Sequence, residues 1–300
     1  MSKRTPQPAM AEGCSVPRRV GTIRPWEQAT PEACAVPVEA ARTSVHEQEV
    51  AHRDETSGRQ GNQPAWLWGA VTTGGTGCVV RRSRGGPVAR ALVGERCGGL
   101  WVTDRSSADN GYPVRWRQRC GAHGLRDVAA RRDRGGCAEA SGDAVLAHAH
   151  QMCPWWHRVR AGTLQRSTLR SSRSPMRREV ERLLDAGSRC GVPQTDGTCR
   201  DLLKRREAWW TVVHVHGVAP TKKTAERALR PGVLWRKGSF GTQRDEGSRV
   251  VESLMTVVAT VKPQQRHVFA YLTAACEAAL RGEAAPSLLP VSDQQSQAVA

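Results

Sequence analysis

The distribution of apolar and polar residues between about 48 and 104 is typical of short strands. Four short runs, each followed by a turn or a charged residue, predict strands: EVAHRD (49–54), AWLWGAVT (65–72), CVVRRS (78–83) and GLWVTD (99–104). TGGTG (73–77) predicts a hairpin turn between the second and third runs, whereas PVARALVGE (87–95) has helical spacing. Three strands, a helix and a further strand predict a mixed α/β sheet.

From about 125 to 210 the pattern becomes helical and very basic. The clearest helix is predicted at SPMRREVERLLDAGSRCG (174–191), where apolar residues recur on one face. TVVHVHGVAP (211–220) predicts a strand or an extended segment, and PTKKTAERALR (220–230) predicts a short helix after it. Two further helices that pack in the core are predicted at 248–261 and 267–282.

The two ends of the chain differ from the middle. Six prolines before residue 40 interrupt any long helix, so residues 1–45 are interpreted as the remnant of a helical, helix-turn-helix-like DNA-binding region. The tail, 283–300, is rich in Ala, Gln, Ser and Pro and is expected to be disordered. Between them we expect one α/β core, residues 46–282, interrupted by a helical insertion at about 125–210.

The amino-acid composition indicates which class of partner the chain binds. The chain of 300 residues has 45 Lys and Arg against 28 Asp and Glu, a net charge of +17, which favours a polyanion such as DNA. The ten Cys contain no Cys-x-x-Cys pair. The N-terminus lacks a signal-peptide run, and no apolar stretch is long enough to span a bilayer, so a cytoplasmic protein without a membrane partner is expected.

Three acids are candidates for chemistry, and each has an ordinary alternative. Asp54 and Asp104 each end a predicted strand, where ligands of α/β sheets collect, although an acid there is also a common turn former. Glu226 lies in a predicted helix four residues from both Lys222 and Arg230, so local evidence favours a surface residue in ordinary ion pairs. On local evidence alone, the ordinary interpretation is favoured for Asp54 and Glu226, and both interpretations stay open for Asp104.

Together, these three carboxylates suit a divalent metal. Mg²⁺ is typically held by one or two carboxylates, waters and phosphate oxygens, and two such ions about 4 Å apart support in-line displacement at a phosphodiester. With 28 acids in the chain, however, many triples are available. Cys120 and His123 form a lone Cys-x-x-His, which is weak evidence for structural zinc because zinc needs four ligands; a packed Cys and a hydrogen-bonded His are the alternative.

Several motifs occur in a characteristic order along the chain. They are VGTIRPWEQAT, AHRDETSGRQ, AWLWGAVT, LWVTDRSSADN, RCGAHGLRD, WWHRVRAGTL, GTCRDLLK and the long run that starts with PTKKTAERALRPGVLWRKGSF. In this order they resemble the insertion-sequence 66 family of bacterial DDE transposases. The resemblance covers most of the chain, from about Ser2 to Pro290.

This resemblance implies a ribonuclease H-like core with a helical insertion before its last acid, which cuts and joins DNA with two Mg²⁺ ions, or Mn²⁺ as a substitute. The family's catalytic and metal-binding acids fall on Asp54, Asp104 and Glu226. Transposon ends and target DNA are the implied partners, with a homo-oligomer and accessory proteins encoded by the element as further expectations. Supporting roles are implied for four residues: Cys120, His123, Arg126 and Arg227.

The sequence also departs from the family pattern. Asp109 stands where a tyrosine is common, Gly121 where Trp is usual, and Lys222 and Lys223 where two Asn are usual. The chain is also expected to lack the family's long N-terminal part. These changes suggest a degenerate copy, so a catalytically inactive DNA-binding remnant is the alternative to an active transposase. A host nuclease on the same fold is a third hypothesis.

Overall fold

The structure, a computed structural model, describes residues 28–94, 99–133 and 137–290. In chain order its helices and strands are α1 (Ala35–His46), β1 (Val50–Gln60), β2 (Gln63–Val71), β3 (Thr76–Arg81), α2 (Gly86–Val93), β4 (Leu100–Thr103), β5 (Arg117–Arg119), α3 (Gly121–Arg132), α4 (Cys137–His150), α5 (Met152–Arg160), α6 (Arg166–Gly187), α7 (Pro193–Lys204), α8 (Glu207–His214), α9 (Lys223–Ser239), α10 (Asp245–Val261) and α11 (Val268–Arg281). The helix-turn-helix-like remnant expected at 1–45 lies largely outside the described residues.

The described residues form two compact units. The sheet unit contains residues up to 94 and from 223 onward, and the helical unit contains residues 99–222. In the sheet unit β1, β2 and β3 form an antiparallel meander, and in the helical unit β4 and β5 pair in parallel. The predicted α/β class with antiparallel and parallel strands is therefore confirmed.

Strand β1 is longer than the sequence pattern predicts. Asp54 was expected to end a strand at 49–54, but β1 continues to Gln60 and returns through a two-residue turn to Gln63. Gly61 adopts a φ of 58° in that turn, a conformation that glycine tolerates at little cost. The prediction of the strand end is wrong because residues 55–60 all pair with β2, so Asp54 lies in the middle of the strand.

Helix α9 packs closely on one face of the meander, and two glycines make this approach possible. A Cβ on Gly69 would lie 2.7 Å from Cδ2 of Leu229, and a Cβ on Gly232 would lie 2.6 Å from Cδ2 of Leu67. Leu67, Leu229 and Met255 are buried together at this contact. Because a Cβ would collide at both positions, glycine here allows the helix backbone to approach the sheet.

Helix α10 covers the outer edge of β3. Backbone N–H groups on alternate residues of β3 donate to side chains one turn apart on α10: Val80 to Glu252 at 2.7 Å, Cys78 to Thr256 at 3.0 Å and Thr76 to Thr260 at 3.1 Å. An uncovered strand edge offers unpaired backbone groups to other chains. The side chains of α10 instead satisfy these groups, within the same unit.

The start of the expected disordered tail is ordered. Leu288 is fully buried in a cluster with residues of α1, α10 and α11. The carbonyl oxygen of Pro286 accepts a hydrogen bond from the Tyr271 hydroxyl at 2.8 Å, and that of Leu288 accepts one from Gln264 Nε2 at 2.9 Å. Residues 283–290 therefore depart from the expectation because Leu288 fills the core, whereas 291–300 lie outside the described residues.

The helical unit contains α3 to α8, in agreement with the helical pattern predicted for about 125–210. One prediction beside it is wrong: residues 211–214 continue helix α8 and do not form a strand. Thr211 Oγ1 donates to the Arg117 carbonyl at 2.6 Å, and Val212 N–H donates to Gln118 Oε1 at 2.7 Å. These contacts with β5 outweigh the strand preference of the β-branched run.

Other helix boundaries differ from the pattern in smaller ways. Helix α6 begins at Arg166, eight residues before the predicted start, and carries Pro175 inside it. Helix α9 begins at Lys223 and continues to Ser239, well beyond the short helix predicted at 220–230. The two predicted core helices are confirmed as α10 and α11. No described helix combines the length and apolar character needed to cross a bilayer.

Candidate functional site

Asp104 lies directly after β4 and is held from both sides. Its Oδ1 accepts a hydrogen bond from the Ser106 N–H at 2.7 Å, and its Oδ2 lies 2.8 Å from Nζ of Lys222. The side chain of Lys222 is only 4% exposed and that of Asp104 is 19% exposed. An ammonium group shielded from water therefore neutralises this carboxylate.

The same contacts set the charge of Asp104. Burial acts to raise the pKa of the carboxyl, but the charge and hydrogen bond of Lys222 and the N–H of Ser106 outweigh it. Protonation of His123 would act in the same direction. The pKa of Asp104 is consequently lowered from its ordinary value, and the group is a carboxylate at neutral pH.

Cys120 and His123 form a hydrogen-bonded pair rather than half of a metal site. His123 Nδ1 lies 3.2 Å from Cys120 Sγ, and His123 Nε2 lies 3.1 Å from Nη2 of Arg126. Arginine has only donors, so Nε2 accepts and the neutral ring carries its proton on Nδ1, from which it donates to the sulfur. Arg126, for which a supporting role was predicted, therefore fixes the tautomer of His123.

Backbone contacts tie Lys222 to the end of β4. Cys120 N–H donates to the Thr103 carbonyl at 2.7 Å, and Gly121 N–H donates to the Pro220 carbonyl at 2.8 Å. Lys222 N–H in turn lies 3.4 Å from Cys120 Sγ. The segment that carries Lys222 is thus hydrogen-bonded to Cys120 and Gly121, and Cys120 is itself bonded to the end of β4 beside Asp104.

Asp54 belongs to the sheet unit and lies on the face that α9 covers. It pairs with Gly69, the glycine that contacts Leu229 of α9. Thr56, two residues further on and therefore on the same face, accepts a hydrogen bond from Arg236 of α9 at 2.8 Å. Asp54 is half-buried, and its Oδ1 accepts from the N–H of Glu55 at 2.9 Å.

Glu226 lies in the first turn of α9, one turn before Leu229, and is half-buried. Asp54 and Glu226 therefore share one face of the meander. Within the described residues Glu226 forms no ion pair with Arg230, its expected partner one turn on. Lys222 was also expected to pair with Glu226, but it precedes the helix and its ammonium lies on Asp104. Arg227, predicted to support the site, is exposed.

The described residues contain no group of three or more His, Cys, Asp or Glu side chains arranged to hold a metal ion. The structure places Asp54 and Glu226 on one face of the sheet unit, and Asp104 with Cys120 and His123 in the helical unit. The Asp104–Lys222 pair was missed in the sequence because its members lie 118 positions apart. Local spacing instead assigned Lys222 to Glu226.

Two residues where the sequence departs from the family pattern have clear surroundings. Gly121 lines an apolar cavity of about 100 Å³ in the helical unit, together with residues such as Leu125 and Trp209. Asp109 is buried, with a carboxylate oxygen 3.4 Å from Nη2 of Arg117. The helical unit therefore accommodates the acid with a buried ion pair and leaves a void beside the glycine.

Comparison with known proteins identifies the family. The family model described as "Transposase IS66 family" matches residues 4–250, which is most of the chain. Comparison with curated proteins and with solved structures gives no significant match. The matched range includes Asp54, Asp104 and Glu226, so the candidate residues lie within the family domain. The chain therefore belongs to the IS66 family of transposases.

Proposed function

We propose that the chain takes part in transposition of an insertion sequence by binding DNA, in the cytoplasm, at the element's ends and its target. Family membership supports a role in transposition, and the positive charge of the chain supports binding to DNA. The helical unit, residues 98–222, contains 22 Lys and Arg against 12 Asp and Glu, a net charge of +10 out of +17 for the whole chain. Phosphate neutralisation by such side chains supplies most non-specific affinity for DNA.

Exposed arginines without an acidic partner carry this proposal. Arg158, Arg160, Arg170 and Arg178 are exposed on α5 and α6 and form no ion pair with any carboxylate in the described ranges. By contrast, Arg182 on the same helix α6 is held by Glu179 at 2.7 Å. Unpaired guanidinium groups are available for bidentate contacts with phosphate oxygens.

Salt-dependent binding tests this proposal. Replacing Arg158, Arg170 and Arg178 together by Gln is expected to weaken binding to duplex DNA and to reduce the slope of log K against log salt by up to about 3, or about 1 for each lost phosphate contact. Arg182→Gln, on the same helix, is the matched control and is expected to leave the slope nearly unchanged. An unchanged slope in the triple variant would contradict the proposal.

The second candidate function is metal-dependent strand cleavage followed by strand transfer on a ribonuclease H-like, DDE-type core. Asp54, Asp104 and Glu226 are the residues that would hold two Mg²⁺ ions, with Mn²⁺ as a substitute. The chain would act as a homo-oligomer or with accessory proteins that the element encodes. One observation favours it: Asp54 and Glu226 share the face of the meander that α9 covers. Cys120 and His123 would then position the site, not react.

Asp104 does not fit a metal as it stands. An ammonium donor cannot ligate a cation, and Lys222 Nζ occupies Oδ2 while the Ser106 N–H occupies Oδ1. DNA binding without cleavage is therefore the function that the geometry supports best. A nicking assay on DNA that carries the element's ends, with Mg²⁺, decides between them: nicking that is lost in Asp104→Asn would establish the second candidate.

A further inference from the structure

We propose that the Lys222 ammonium is a resident cation on Asp104 and excludes divalent metal ions from this carboxylate. The pair lies wholly within the helical unit, with Nζ 2.8 Å from Oδ2 and the lysine side chain 4% exposed. The inference rests on the proposed function only in treating Asp104 as the carboxylate that family members would present to a metal.

Exclusion follows from charge and from occupancy of the oxygens. A divalent ion such as Mg²⁺ approaches a carboxylate oxygen to about 2.0–2.1 Å. Nζ already lies on Oδ2, and the second oxygen accepts from a backbone N–H. A metal at either oxygen would face the charge of a lysine whose side chain is shielded from water, so the repulsion would be weakly screened.

The backbone of the segment that carries Lys222 is also held in place beside Asp104. Its own N–H lies 3.4 Å from Cys120 Sγ. Two residues earlier, the Pro220 carbonyl accepts from Gly121 N–H at 2.8 Å. The same sulfur also accepts a hydrogen bond from the Nδ1–H of His123. Cys120 and His123 are therefore positioning residues that hold the lysine segment beside Asp104.

Binding of Mn²⁺ to the full chain, measured by electron paramagnetic resonance in the absence of DNA, tests the inference. Lys222→Met removes the charge while keeping the length of the side chain. We expect it to bind Mn²⁺ with a half-saturating concentration at least tenfold lower than that of the wild type. The gained binding should disappear in the double variant Lys222→Met/Asp104→Asn, which assigns it to this carboxylate.

Two controls keep the result specific. Lys223→Met removes the neighbouring, exposed charge and should leave Mn²⁺ binding as in the wild type. Lys222→Arg keeps a cation at the site and should also gain no metal. If Lys222→Met folds, as judged by circular dichroism, yet binds Mn²⁺ no better than the wild type, the inference is wrong. Wild-type binding of Mn²⁺ that Asp104→Asn abolishes would also overturn it.

The Mn²⁺-binding test of this inference can be distinguished from the DNA-binding test of the proposed function. DNA affinity of the same variants, measured in EDTA, reports on the arginines of α5 and α6 and not on Asp104. If the wild type does not bind DNA, the proposed function is refuted, but the Mn²⁺-binding result is unaffected. Failure of Lys222→Met to gain Mn²⁺ binding, with DNA binding intact, would refute the inference alone.

Discussion

Two of the candidate acids, Asp104 and Glu226, are expected to respond differently to amide substitution in the metal-free protein. In an empty metal site, carboxylates repel one another, so each amide substitution would stabilise the fold. Asp104 is instead neutralised by Lys222 at 2.8 Å. Asp104→Asn should therefore destabilise the protein, because it leaves the lysine ammonium shielded from water without its counter-charge.

The size of this effect follows from the burial of the pair. Breaking a fully buried ion pair by removing one partner costs about 3–5 kcal/mol. Asp104 is 19% exposed and an Asn oxygen still accepts a hydrogen bond from Lys222, so we expect a loss of about 2–3 kcal/mol. Glu226→Gln should change stability by less than about 0.5 kcal/mol, since Glu226 is half-buried and has no ion pair with Arg230.

Unfolding in urea at pH 7 with EDTA, followed by circular dichroism and Trp fluorescence, measures these differences. In thermal unfolding, a loss of 2–3 kcal/mol in a unit of this size corresponds to a fall in Tm of about 4–12 °C. Lys222→Met in the Asp104→Asn background should recover part of the loss, because neither charge is then left alone. An Asp104→Asn variant at least as stable as the wild type would refute the reasoning.

Three further outcomes are expected. Gly69→Ala should cost about 1–3 kcal/mol because its Cβ would lie 2.7 Å from Leu229, whereas Gly58→Ala in the same meander, with 3.6 Å to its nearest neighbour, should be neutral or slightly stabilising in urea unfolding. Burial lowers the pKa of His52 to about 4, so the folded state binds its proton less readily than the unfolded state. Stability should then be full above about pH 6.5 and fall toward pH 4 by up to about 1.4 kcal/mol per pH unit, a dependence that His52→Leu should flatten. Finally, wild-type binding to duplex DNA should weaken steeply between about 50 and 200 mM salt in a filter-binding assay.

Local patterns in the sequence predict most of the elements of this fold. The hairpin of β2 and β3 and helices α10 and α11 follow from apolar spacing and from a glycine-rich turn, all of which are short-range signals. The prediction of a strand or extended segment at 211–220 is wrong for 211–214, because Thr211 and Val212 bond to residues more than ninety positions earlier. Such a contact has no local signature.

The candidate site was predictable only in part for the same reason. The site roles of Asp54, Asp104 and Glu226 came from the family resemblance, whereas local physics favoured a surface ion pair for Glu226. Helical spacing assigned Lys222 to Glu226, but helix α9 begins one residue later, at Lys223. That difference of one residue removes Lys222 from the face of the helix, and its partner lies 118 positions away.

The contacts between β3 and α10 impose an order on synthesis of the chain. The N–H groups of β3 find their acceptors 172–184 residues later, at Glu252, Thr256 and Thr260. At about 5–20 residues per second, a ribosome needs about 10–40 s to make the intervening chain. During that interval the meander has an open edge. The product of a gene copy interrupted before codon 252 would lack these acceptors, so the edge of β3 would stay exposed. Such a product would therefore be prone to aggregation and would not form a smaller folded protein.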